Sequence, residues 1–210
     1  ADVISMSFAG PSESSIERDI IDYAVSQGAV VVAAAGNSAS TNLTYPAAYP
    51  NVIAVAATNI ENEIASFSNR GWWVQAAAPG VDIFSTYVNG YVFSSGTAMA
   101  TPLVAGLAAM LKGSDPSMNQ AEVLARIQQG ARPIANAYTL NTPVGQIDAW
   151  RSVLPDRPVV AFNGLYVDDL DDGRLSGGET ANIVLNMELL GAGADDISLR
   201  LIPIYPYEWE

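Results

Sequence analysis

The sequence predicts an α/β protein, a parallel sheet with helices on both faces, followed by a β-rich C-terminal segment. Three observations predict it. Residues 29–35 form an unbroken Ala/Val run, and residues 52–57 a similar run of Val, Ile and Ala behind Asn51, the pattern of strands covered on both faces. Strand, helical spacing and strand follow one another within residues 2–35, which makes a βαβ unit with a right-handed crossover. Beyond residue 155 the helical pattern disappears and strand-like segments take over.

Residues 2–7 read as the first strand. Residues 14–27 carry Ile16, Ile20, Ile21, Tyr23 and Ala24 at helical spacing, with Gly28 as the stop. Strands follow at 29–35 and 51–57, then short strand candidates at 74–78, 81–85 and 91–94, separated by turn residues. Residues 96–112 form an apolar helix with almost no polar face, expected to run through the core. Ser117-Met118-Asn119-Gln120, after Pro116, is read as a capping box that opens a helix to Gln129, ended by Gly130. Strands are expected again at 159–167 and 181–190.

Half of the 210 residues are hydrophobic, enough for one domain and part of another. The net charge is −13, so phosphate and anionic lipid surfaces are repelled, and nucleic acid and membrane are set aside as partners. Residues 160–210 hold 10 acidic and 2 basic side chains. With the change in pattern, this places a boundary near 154–158, dividing a first domain (1–155) from a second (156–210). The longest apolar stretch, 103–111, is too short to span a bilayer. Cysteine is absent, which removes disulfides and thiolate metal sites but leaves the compartment open. Histidine is absent as well. The chain opens inside a strand without a leader and stops without a domain end, so a piece of a longer protein is expected.

Three places hold candidate chemistry. Ala33-Ala34-Ala35-Gly36-Asn37 ends a buried strand in an amide side chain, at the sheet edge where ligands bind; Gly-Asn alone equally suits a turn cap. Gly96 to Gly106 opens a helix whose first N–H groups are free, in a positive potential. Pro102 is tolerated in its first turn. Ala98, in that turn, has no lone pair and cannot attack a carbonyl. The third place is the acidic turn 168–179. Asp168, Asp172, Gly173 and Glu179 fall at positions 1, 5, 6 and 12 of a calcium loop, but Leu170 stands where a ligand oxygen is expected, and a solvated acidic turn reads equally well. Asn42-Leu43-Thr44 is a glycosylation sequon by pattern. Gly191-Ala192-Gly193 has no helix after it, which excludes a dinucleotide fingerprint.

Gly96-Thr97-Ala98-Met99-Ala100-Thr101-Pro102-Leu103-Val104-Ala105-Gly106 resembles the Gly-Thr-Ser-Met-Ala-x-Pro-x-Val-Ala-Gly motif of the subtilisin-like serine proteases, with Ala98 in place of the attacking serine. Weaker matches stand in the family's order at 2–10, 45–55, 65–71, 78–83 and 145–149, so the resemblance covers about 1–154. It implies a three-layer subtilisin-like fold, present in part, and a peptide or protein substrate. Asn37 and the residue-98 N–H are implied as oxyanion donors. Ser7, Phe8, Ala9 and Gly10 are implied as one side of the cleft, with Ala33, Ala34, Ala35 and Gly36 as the other. The family's catalytic Asp and His lie on segments N-terminal to this region, so an N-terminal segment or another chain would have to supply them. Secretion, an appended β-sandwich-like domain and calcium at Asp168, Asp172 and Glu179 are further implications; no organic cofactor is implied. Leu103 departs from the histidine common at its place. Without a histidine base the chain is expected to be inert even with serine at 98. Ala98 is either an engineered knockout or the mark of a natural pseudoprotease that binds peptides without cutting them.

Overall fold

The computed structural model describes residues 1–137 and 144–154 in full, and the strands Val159–Asp168 and Asn182–Leu190 by their backbone. Two compact units result, one built on residues 1–154 and the other holding those two strands. In chain order the first unit contains β1 (Val3–Met6), α1 (Ser15–Ser26), β2 (Val30–Ala34), β3 (Ile53–Thr58), β4 (Ala76–Pro79), β5 (Ile83–Tyr87), β6 (Gly90–Ser94), α2 (Thr97–Ser114), α3 (Gln120–Gly130), β7 (Arg132–Pro133), β8 (Gly145–Gln146) and α4 (Ala149–Val153). The second contains β9 (Val159–Asp168) and β10 (Asn182–Leu190), an antiparallel pair.

The main sheet has the order β1-β2-β3-β4-β8-β7. All neighbours are parallel except β7 and β8, which pair antiparallel at one edge. Strand side chains alternate between faces, and this splits the core in two. Val30, Val32, Ile53, Val55, Ala76 and Ala78 meet α2 and α3 on one face. Val31, Ala33, Ala54, Ala56 and Ala77 meet Ile21 of α1 on the other. Both faces of β2 and β3 are therefore buried, which is why their sequences run apolar without alternation.

Helix α1 starts as expected, with the Ser14 hydroxyl accepting from Glu17 N–H at 3.3 Å and Gly28 in the left-handed region at φ 85° after its end. Its apolar residues divide, however. Ile21 is buried, while Ile16, Ile20 and Tyr23 are exposed. Helix α2 is not enclosed by the core either. Ala100, Val104, Leu107, Ala108 and Leu111 face the sheet, and Leu103 and Met110 lie on its open side. A helix laid on a sheet buries one face only, whatever the composition of the other.

The cap of α3 also differs from the expectation. Asn119, not Ser117, is the N-cap: its side chain accepts from Glu122 N–H at 3.0 Å, and Glu122 accepts from Asn119 N–H at 2.6 Å. Ser117 instead donates to Asp115, through its hydroxyl at 2.6 Å and its N–H at 3.0 Å. A second anchor is Asp148, the buried N-cap of α4. It accepts from Arg151 N–H at 3.1 Å and Arg132 Nε at 2.6 Å, and these two bonds hold its carboxyl below the usual carboxylate range.

Candidate active site

Asn37 stands just beyond the carboxyl end of β2. Gly36 makes the bend at φ 100°, and a β-carbon there would come within 2.5 Å of Asn69 Nδ2, so this turn requires glycine both for its angle and for its room.

Thr97 orients the Asn37 amide. Its N–H and its hydroxyl each donate to Asn37 Oδ1 at 2.9 Å, and the same hydroxyl oxygen accepts the Gly36 N–H at 3.0 Å. With Oδ1 committed, Nδ2 lies on the side of Gly96. A β-carbon on Gly96 would stand 3.1 Å from Asn37 Nδ2 and 3.7 Å from the backbone nitrogen of Ala98. The Ala98 N–H belongs to the first turn of α2, where the helix offers it no acceptor and the dipole favours negative charge. The Asn37 amide nitrogen and the Ala98 backbone nitrogen thus border one small volume beside Gly96, with Met99 Sδ also at its edge, 3.5 Å from the same point. Ala98 itself presents only a methyl group.

The end of β1 closes in from the side. Ser7 Oγ donates to Ala98 O at 3.0 Å, and Gly10 exchanges two backbone hydrogen bonds with Tyr45, both at 2.8 Å. The Ala9 β-carbon lies 3.6 Å from where a Gly36 side chain would begin, and Phe8 is exposed. Ser7, Ala9 and Gly36 are therefore brought close around the Asn37–Ala98 pair. Ala33 and Ala34 close β2 and Ala35 follows it, all three buried.

Two site residues lie in matched segments but received no role from the sequence. Thr97 was visible only as the neighbour of Ala98. Asn69 lies inside a stretch that no periodicity singles out, yet it is buried and pins the bend from within. Its Oδ1 accepts from Ser38 N–H at 2.9 Å and Ser40 N–H at 3.1 Å, its Nδ2 donates to Ala35 O at 2.8 Å, and its own N–H donates to Gly36 O at 2.8 Å. Thr44 adds a hydroxyl bond to Ala35 O at 2.6 Å.

The calcium candidates Asp172 and Glu179 lie outside the described residues, and Asp168 closes β9, described by backbone alone. Among the described residues no cluster of three or more acidic side chains could hold a metal ion. No described helix is long and apolar enough to cross a membrane.

Residues 1–162 match the sequence profile of the subtilase family, Peptidase_S8. Subtilisin E of Bacillus subtilis (strain 168) is 45% identical over 142 residues, covering 65% of this chain and 37% of that protein. A thermophilic serine proteinase of Bacillus sp. (strain AK1) is 43% identical over 154 residues, covering 73% of this chain and 38% of its own length. The chain thus spans well under half the length of these curated relatives. Among solved structures, a protease of Pseudoalteromonas arctica PAMC 21717 superposes with a TM-score of 0.67 at 33% identity, over 73% of this chain and 50% of that one.

Proposed function

The chain belongs to the subtilase family, and on that premise we propose that it forms the nucleophile and oxyanion half of a serine endopeptidase site, carrying alanine at the nucleophile position. One observation carries this reading: Asn37 Nδ2 and the Ala98 backbone nitrogen both border the volume beside Gly96, while Thr97 holds the far end of the Asn37 amide.

With serine at 98, its oxygen would add to the scissile carbonyl carbon of a polypeptide, passing its proton to a histidine. The carbonyl oxygen, now negative, would be received by Asn37 Nδ2 and the residue-98 N–H. Collapse would expel the amine, which takes the proton from the histidine, and leave an acyl-enzyme for water to cleave. Neither a histidine nor an aspartate in triad position belongs to the site described, so both are assigned to a segment outside this sequence. The open apolar side of α2, with Leu103 and Met110, is a surface on which such a segment would pack. As it stands, the chain would hold a peptide without cutting it. We assign the parent protein to a secreted setting, as the resemblance to the family implies.

A second reading is favoured by the intact Asn37–Thr97–Gly96 arrangement beside a methyl group: a natural pseudoprotease that binds peptides. Restoring Ala98→Ser in the full-length gene product separates the two. Peptide hydrolysis and covalent labelling of residue 98 by a fluorophosphonate support the protease. Peptide binding without turnover or labelling, where the gene itself encodes alanine, replaces it with the binding module. In the present 210-residue chain the same substitution is expected to give no turnover, because the sequence contains no histidine.

A further inference from the structure

Strands β5 and β6 form a hairpin of their own, outside the main sheet, closed by the two-residue turn Val88–Asn89. Phe84 stands opposite Phe93, and Tyr91, two residues before Phe93, shares their face. The ring centroids lie 4.8 Å apart for Phe84 and Phe93, and 5.3 Å apart for Phe84 and Tyr91, whose planes are 20° from parallel. Despite this stacking, Phe84 is 59% exposed, Tyr91 69% and Phe93 65%.

Stacking accounts for part of the pattern. An isolated two-stranded hairpin is marginal in water, and cross-strand ring pairs stabilise it. That need is met by the ring faces turned to one another. The outer surface of the ladder remains a wet apolar platform, of the kind that marks a binding surface. No charged residue occurs anywhere in 83–111, so the platform has no ionic rim on its own strands.

Its position identifies the occupant. Strand β6 runs directly into α2 through Ser95 and Gly96, and two bonds pin the hairpin's base beside the site: Gly96 N–H to Gly80 O at 2.7 Å and Asp82 N–H to Ser95 Oγ at 2.9 Å. Ala98 follows Phe93 by five steps along the chain. Even fully extended, they place the two no more than about 18 Å apart. An extended polypeptide rises about 3.3 Å per residue, so a chain lying in the cleft crosses that distance in about five residues. We propose that the Phe84–Tyr91–Phe93 platform is a remote subsite for the polypeptide held at residue 98, taking an apolar or aromatic side chain within about five residues of the scissile bond. This rests on the reading of the cleft as a polypeptide site.

The chain's alanine at 98 makes the test a binding measurement. Twelve-residue peptides of Ala and Ser, with a single Phe walked along the sequence, are titrated into the intact chain. Amide shifts are followed at Asn37, Thr97 and Ala98 and, separately, at Phe84, Tyr91 and Phe93. One Phe position is expected to tighten binding about tenfold over the peptide with Ser there, moving both sets of amides together. Phe93→Thr is expected to abolish that preference, and Val92→Thr, on the opposite hairpin face, to leave it intact. Binding at Asn37 and Ala98 with no Phe preference overturns the subsite and leaves the functional reading standing. Hairpin shifts without shifts at Asn37 and Ala98 make the platform an independent surface and overturn its role as a subsite. Absence of shifts at Asn37, Thr97 and Ala98 with every peptide overturns the functional reading, and the subsite with it. Should Phe93→Thr unfold the hairpin, the peptide walk on the unaltered chain decides the matter alone.

Discussion

Thr97 places both of its donors on one oxygen, Asn37 Oδ1, each at 2.9 Å. An asparagine held only by its backbone can rotate its amide. Here the rotation would break two bonds at once, so the orientation of Nδ2 is built in before any ligand arrives. Removing the hydroxyl with Thr97→Val takes away one of these bonds and also the acceptor of the Gly36 N–H. The expected cost is about 1–3 kcal/mol in urea denaturation. Thr97→Ser, which keeps the oxygen, should recover most of it. In a longer protein carrying serine at 98, turnover should fall with Thr97→Val while KM changes little.

Gly96→Ala tests the volume between the two N–H groups. Its methyl would lie 3.1 Å from Asn37 Nδ2, inside the space assigned to the oxyanion. In the full-length protein with serine at 98, steady-state kinetics should show kcat reduced about 10²–10³-fold, the size of effect known for losing one oxyanion donor in subtilisin itself. Thermal melting of the variant should move far less than the rate.

The cap of α3 separates two neighbouring polar residues. Asn119→Ala removes the side-chain half of a reciprocal cap and should cost about 1 kcal/mol in chemical denaturation. Ser117→Ala touches only an exposed bond to Asp115 and should stay within about 0.5 kcal/mol.

Asp148 gives the fold a pH dependence of definite sign. The Arg151 N–H and then the Arg132 guanidinium lower its pKa in the folded state. A carboxylate lowered in this way contributes stability that is complete above its unfolded value of about 3.9 and is lost as pH falls through the folded value. The urea midpoint should therefore fall on acidification below about pH 4. Asp148→Asn should be less stable at neutral pH and show a shallower acid dependence over the same range.

The buried strands were legible because their physics is local to the sequence. Ala33, Ala34 and Ala35 lie in a run that no half-exposed strand would carry, and β3 reads the same way. Asn37 and Ala98 were legible through a motif. Asn69 was not, because its role depends on a bend 30 residues away that it reaches only in three dimensions. The exposure of Ile16, Ile20 and Leu103 was equally hidden, since composition cannot say which side of an apolar helix meets the sheet. The α3 cap was displaced by two residues because Ser117 is drawn to Asp115, leaving Asn119 to close the helix.

The bonds that shape the site span long stretches of chain: Asn37 to Thr97 closes 60 residues, and Ser7 to Ala98 closes 91. Loops of that length form only when the intervening strands have found their neighbours. A polypeptide still emerging or partly assembled therefore lacks the Asn37–Thr97 and Ser7–Ala98 bonds that shape the site. Where such chemistry would attack any unfolded protein nearby, including copies of itself, that delay withholds the site until the fold that restrains it is complete.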